Sequence, residues 1–448
     1  MPYIEPGTAW EYAFEAGASG ETWVEVSMAA PGTSWACGEA AVVALDVDGT
    51  ARQEVILAGG DDHVDYRRLL GRLSGGTHLL RLWIDIGLSA PPTSVVEIGG
   101  IRTGTVPDDH PASAPWRHAP ILHYRDLDGP LDSVSTDAPL LLFYRPITGA
   151  DLSADPRGGA GAGGRATGPC RGLEYHVVFS HEDSGTDVTG LLAKWGHTTD
   201  IEWVYRALWD TSGTIAREEY QGPDHRALPF RGARALGGHP VLQVSGRHGM
   251  VTDRVSCPFR AALAPVWDQP ADEPREGVMH RFPWTYRVSA LEVARQVTLE
   301  PVPDPRSPAP ADPRAYLFLQ WKRLTPDPGP LEAAVWIGEH CYTSAWGRAD
   351  LAFEGEDAES TAVKLPPDAS EDAIGAIAIR SVARPAAPLE VRLVRAFLLN
   401  GAYEPRPPLA VSGTATLRVP GEWTIVWDRR RASAGNTILE HEGHPRDD

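Results

Sequence analysis

Gly196-His197-Thr198-Thr199-Asp200-Ile201-Glu202-Trp203-Val204 concentrates more chemistry than any other stretch of this chain. A polar turn runs straight into an extended segment that opens with two carboxylates. Residues two apart on a strand share a face. Asp200 and Glu202 are therefore expected on one face, with Ile201, Trp203, Tyr205, Ala207 and Trp209 on the opposite, apolar one. Two acids at a strand mouth, with His197 just ahead of them, have the types needed to bind a hard cation or to move protons.

Other polar loops carry matching groups. Ser180-His181-Glu182-Asp183 follows an apolar run, Gly222-Pro223-Asp224-His225 reads as a loop, and Ser245-Gly246-Arg247-His248-Gly249 ends another run. Strand ends gather at a rim, where such loops can converge. Glu202, Asp200, Glu182 and His248 are the candidate catalytic residues; Glu182 and Glu202 have the types of a glycoside-cleaving acid and base. Asp200, Glu202, His197 and His248 are candidate ligands of a divalent cation: Ca²⁺ or Mg²⁺ through oxygen, Mn²⁺ or Zn²⁺ more readily through imidazole. Arg247 can grip a substrate carboxylate or sulfate with its forked guanidinium. His225 is a further candidate for substrate contact. Among the 15 tryptophans, Trp195 and Trp284 are candidates for stacking on sugar faces. Each has a bland counterpart: an acidic turn, a satisfied structural histidine, a surface ion pair, a core tryptophan.

The elements that must position these groups read as β. Residues 40–47 lead to Asp48-Gly49, a hairpin turn signal, and 52–57 follow. Further strands are expected at 77–84, 94–98, 119–125, 139–144, 173–180, 201–210 and 240–245. Beyond a proline-dense connector, Pro301–Pro313, strands are expected at 315–321, 333–337, 374–382, 389–399 and 414–427, and the one helix candidate is 290–298. The expected class is all-β: two or three packed sandwich or jelly-roll units with few helices. The expected division is 1–106 as an N-terminal sandwich of possible carbohydrate-binding type, 116–300 as the central sandwich carrying the site, and 314–430 as a C-terminal β-rich region. Gly159, Gly161 and Gly164 match GxGxxG, but no βαβ pattern surrounds them.

The composition narrows the function classes. Of 448 residues, 41 are basic and 60 acidic, a formal charge of −19. Nucleic-acid surfaces and basic lipid-adhesion patches need clustered Lys and Arg, and neither is expected here. The four cysteines form no CxxC, which argues against a zinc knuckle; long-range disulfides and free thiols both remain open. No apolar run is long enough for a membrane span, and the first residues lack the pattern of a signal peptide, so a cytoplasmic protein or a mature secreted one is expected. HExxH, GxSxG, Walker and SxxK motifs are absent.

The motif resembles one shared by the vacuolar-protein-sorting-related and necrosis-inducing protein superfamilies, in which a Gly-His-x-His-Asp-Trp-Glu or Gly-Asp-Trp-Glu segment opens a central strand and a later strand ends in Ser-x-His-Gly. Gly196, His197, Asp200 and Glu202 match the first element. Residues 240–249 are similar to the second, with one extra residue before His248. Ala119-Pro120-Ile121-Leu122 resembles the Ala-Pro-x-Leu opening of the sorting-related domains. Thr199 stands where a second His is found in the family pattern, and Ile201 where Trp is found. The resemblance spans about residues 116–260 and implies a β-sandwich with a shallow rim site, a divalent cation on Asp200 and Glu202 with His197 nearby, and glycolipid head-group binding. The expectation is a glycan- or glycolipid-directed protein, a glycoside-type hydrolase if it is an enzyme. The alternatives are a non-catalytic, toxin-like binding module and a structural protein.

Overall fold

The computed structural model describes residues 2–17, 19–125, 137–148, 171–182, 185–245, 249–325, 329–354, 358–385 and 387–430. Six sheets organise them, and the fold is all-β with few helices, as the sequence leads one to expect. The chain divides into two compact units. The first comprises Met1–Gly185 and Thr199–Pro270; the second comprises Thr186–Thr198 and Ala271–Asp448. The division at residue 270 falls inside the stretch 116–300.

The first unit opens with two four-stranded antiparallel sheets. One runs in the order Tyr3–Ile4, Val96–Val106, Glu21–Ala29, Val64–Gly71; the other runs Ala9–Ala16, Gly76–Ile84, Ala41–Val47, Thr50–Leu57. Asp48 and Gly49 both have positive φ, 52° and 72°, at the tip of the hairpin between Ala41–Val47 and Thr50–Leu57. That is the conformation a tight two-residue hairpin turn demands, and Asp-Gly adopts it readily.

The same unit continues with a six-stranded sheet, ordered Arg226–Pro229, Ile215–Gly222, Asp200–Trp209, Arg171–Phe179, Pro139–Thr148, Pro265–Asp268. A smaller sheet joins Arg234–Ala235, His239–Val244, Ile121–His123 and Arg260–Ala261, with Val251–Thr252 paired to His239–Val244. Every residue of His239–Val244 is buried, which fits its lack of strict alternation.

The second unit is built around a sandwich of two four-stranded sheets, Ala358–Lys364, Tyr316–Arg323, Leu389–Phe397, Gly413–Leu417 and His340–Thr343, Leu331–Ile337, Ile374–Ser381, Thr424–Asp428. Leu317, Leu319, Trp321, Val335, Ile377 and Val391 fill its core. The stretch 414–427 forms two strands rather than one, because Pro420 and Gly421 (φ 80°) interrupt it. Helix Trp284–Gln296 starts earlier than expected. A second helix, Val188–Trp195, was not anticipated. Asp187 caps its start by accepting from the Gly190 N–H at 2.7 Å, and Gly196 ends it in the left-handed conformation. The proline run is pinned to the sandwich by the buried Lys364, which donates to Glu300 Oε2 at 2.7 Å and to the Ala309 carbonyl at 2.6 Å.

Among the described residues Cys37 and Cys341 are exposed free thiols, and Cys257 is buried. No helix among the described residues is long and apolar enough to cross a membrane. The glycines at 159, 161 and 164 lie outside the described residues.

Candidate functional site

Strand Asp200–Trp209 sits between Arg171–Phe179 and Ile215–Gly222. Its alternation is broken by a bulge. Tyr205 pairs with Tyr175, and the next pair is Trp203 with His176, so Val204 has no partner. One extra residue reverses the side on which every preceding side chain lies. The expectation that Trp203 and Tyr205 share one apolar face is thereby corrected. Trp203 instead lies against Arg206, whose guanidinium carbon is 3.8 Å from the indole centroid, while Tyr205 joins the buried row Tyr144, Tyr175, Tyr205.

At the mouth of this strand Asp200 is buried, and Glu202 keeps 15% of its side chain exposed. Asp200 pairs with Phe179. Gly249 closes over both: a β-carbon there would stand 2.6 Å from the Phe179 ring and 3.0 Å from Asp200 Oδ2. The loop that begins at Ser245, whose N–H donates to the Met250 carbonyl at 3.0 Å, thus returns against the first carboxylate. Arg247 and His248 lie outside the described residues.

Glu202 is held from the neighbouring strand. Gln221, only 1% exposed, donates from Nε2 to Glu202 Oε2 at 2.9 Å and to His225 Nδ1 at 2.6 Å. The His225 Nδ1 lies 3.8 Å from Glu202 Oε2, and its side chain is 26% exposed. His225 ends the short turn Pro223–His225, in which Asp224 (φ 59°, ψ 30°) and His225 (φ 56°) are both left-handed without being glycine. Sequence reasoning named His225 but missed Gln221. An amide carries no distinctive spacing, and only its hydrogen bond to Glu202 in the folded chain reveals it.

The remaining described candidates lie on other elements. Glu182 is half-buried beyond strand Arg171–Phe179. Beside it the buried Ser180 Oγ accepts from the Ala138 N–H at 3.0 Å and lies 2.9 Å from His181 Nδ1. Trp195, His197 and Trp284 belong to the second unit, whereas Asp200, Glu202 and His225 belong to the first. Within the second unit, Trp195 is half-buried at the helix end with the Lys194 ammonium 6.0 Å from its ring centroid. His197 is buried, Thr198 bonds to Ser289 through both its N–H and its hydroxyl, and Trp284 begins the helix Trp284–Gln296. The Thr198 of the motif is thus an anchor to a helix.

A second polar cluster went unforeseen. Glu174 is buried with its carboxylate bonded to Arg145 Nε at 2.6 Å, to His176 Nε2 at 2.8 Å, and to Arg206. Burial alone pushes its pKa up, but Arg206, His176 and Arg145 together hold it well below the usual carboxylate range. The sequence signal was there: Glu174 and His176 alternate within an otherwise apolar strand.

Among the described residues, no three His, Cys, Asp or Glu side chains are grouped closely enough to hold a metal ion. Asp200 and Glu202 alone fall short of the four ligands of a structural zinc or the six to eight oxygens of calcium. No protein-family model and no curated protein matches the chain. Among solved structures, it shows a 12% identical likeness, TM-score 0.19, to a family GH115 4-O-methyl-α-glucuronidase with specificity for decorated arabinogalactans, over 23% of this chain and 14% of that one. A likeness that slight carries no argument about fold or function.

Proposed function

We propose that this chain is a glycan-directed protein, hydrolytic towards a polyhydroxylated substrate, with its site at the rim around Glu202. The observation that carries this reading is the pairing of the Glu202 carboxylate with the His225 imidazole, 3.8 Å apart, both partly exposed and both tied to the buried Gln221. A carboxylate and an imidazole are each of the types that move protons in catalysis. In the hydrolytic reading Glu202 takes a proton from water as the water oxygen bonds to the anomeric carbon. The bond from that carbon to the leaving oxygen breaks, and the leaving oxygen takes a proton from Glu182 or His248.

The test is a turnover screen over hydrolysable glycans with wild type and Glu202→Gln. The expected outcome is product from wild type, loss of activity in the variant, and nearly unchanged melting temperatures. A large loss of stability in the variant would assign Glu202 to structure. Saturable glycan binding without product would favour a non-catalytic, glycan- or glycolipid-binding module.

The divalent cation is a second reading, resting on the two carboxylates, Asp200 and Glu202, at the opening of one strand. Elemental mass spectrometry of chelator-free protein tests it. Near-stoichiometric metal that disappears in Asp200→Asn would support it, and metal-free wild type after soaking in Ca²⁺, Mg²⁺, Mn²⁺ and Zn²⁺ would end it.

A further inference from the structure

Gln221 has a single amide with which to serve two neighbours, and the way it is shared fixes the protons on both. An amide nitrogen only donates. Its two hydrogens go to Glu202 Oε2 at 2.9 Å and His225 Nδ1 at 2.6 Å. Both neighbours must then accept. A carboxylate does so when ionised, and an imidazole nitrogen does so when it carries a lone pair. Turning the amide over would set Oε1 against a carboxylate oxygen and send both N–H groups to the place where, at present, the buried Oε1 makes no hydrogen bond.

The turn that delivers His225 is built to hold one geometry. Left-handed backbone is unfavourable for residues with a β-carbon. Two in succession, Asp224 and His225, persist only where their surroundings over-determine them, and such strain concentrates at functional sites. Pro223 restricts the entry to the turn, and the Gln221 bond to the ring restricts its exit.

We propose that Gln221 is the positioning residue of this site: it joins Glu202 and His225 into one unit and fixes His225 as the neutral tautomer with its proton on Nε2. The proposal rests on the acid/base reading of the rim for its consequence in turnover, but the tautomer itself is measurable without any substrate.

Long-range proton–nitrogen correlation spectra of the full chain, labelled at histidine, read both ring nitrogens, with His225 assigned by its loss in His225→Asn. Wild type is expected to show a protonated Nε2 and a lone-pair Nδ1 at neutral pH. Gln221→Leu removes the donor, and the two nitrogens should move towards averaged values. Gln221→Glu, nearly isosteric and acceptor-only, should draw a proton onto Nδ1. Circular dichroism checks folding in each variant, and the wild-type spectrum alone carries the test if neither variant folds. A protonated Nδ1 in wild type, or nitrogens unmoved by Gln221→Glu, would overturn the proposal. The expected nitrogen shifts without turnover of any glycan would leave Gln221 in its role and remove the hydrolase. Turnover with unmoved nitrogens would do the reverse.

Discussion

Glu359 and Glu174 are both buried glutamates on strands, and their surroundings drive them in opposite directions. Glu359 has one cation: Arg323 places Nε and Nη2 on the same oxygen, Oε1, at 2.9 and 2.8 Å. Its Oε2 makes no hydrogen bond. Burial, only partly offset by Arg323 and reinforced by the charges of Glu276 and Glu354, pushes its pKa from 4.5 up to about 7. Glu174 has two guanidinium groups and an imidazole on its two oxygens, and its pKa is held well below the usual carboxylate range. A carboxyl whose pKa is raised on folding binds its proton more tightly in the folded chain, so stability falls as pH rises from about 4.5 to about 7. The whole effect is on the order of 3 kcal/mol at most. Glu359→Gln is expected to flatten that decline, since a neutral amide still accepts from Arg323. Thermal unfolding of wild type and variant across the interval measures it; parallel curves would show that Glu359 keeps an ordinary pKa.

At the scale of elements, the opening glycine of the motif has a backbone reason. Gly196 ends helix Val188–Trp195 at φ 71°, its N–H donating to the Leu191 and Leu192 carbonyls. A β-carbon there would stand 3.0 Å from Ser360 Oγ and 3.2 Å from the Thr361 backbone. Gly196→Ala should therefore cost about 1–2 kcal/mol from the left-handed backbone alone, read by urea unfolding; an unchanged midpoint would mean that the cap relaxes freely. The strands with clean apolar runs and turn chemistry, such as Ala41–Val47 before Asp48-Gly49, were legible in the sequence. So was the extended start of Asp200–Trp209. The bulge at Val204 was not, because nothing in Trp203-Val204-Tyr205 marks an unpaired residue. Helix Val188–Trp195 was too short for periodicity to speak, although Asp187 and Gly196 stood at its ends. Strand Glu21–Ala29 hid behind acids that find partners only after folding, as Glu25 does with Arg67.

At the scale of the molecule, the two β portions of the first unit are joined by buried polar bonds. Gln53 Nε2 donates to the Leu69 carbonyl at 3.0 Å and its Oε1 accepts from the Ala262 N–H at 3.2 Å. Glu54 Oε2 accepts from the Arg260 N–H at 2.8 Å, and the Glu54 carbonyl accepts from the Tyr124 hydroxyl at 3.1 Å. His239, buried, lies 3.1 Å from Glu21 and 2.9 Å from the Ala119 carbonyl. Unpaired buried donors and acceptors each cost about 1–3 kcal/mol. Removing residues 1–106 strips partners from four of these groups at once, so the shortened chain is expected to be insoluble or to unfold without cooperativity. Size-exclusion chromatography and calorimetry check this, and a monodisperse, cooperatively unfolding product would show that the sandwich is a detachable module.

The segment Thr186–Thr198 belongs to the second unit although the sequence on both sides of it belongs to the first. Thr361 Oγ1 bonds to the Ala193 carbonyl across 168 residues. During synthesis on a ribosome this helix emerges long before the sandwich that receives it. Long-range pairing of this kind slows folding and leaves apolar surface waiting. Val188, Leu191 and Leu192, all buried in the finished protein, are thus a hydrophobic stretch that the nascent chain must carry unsheltered until the sandwich is made.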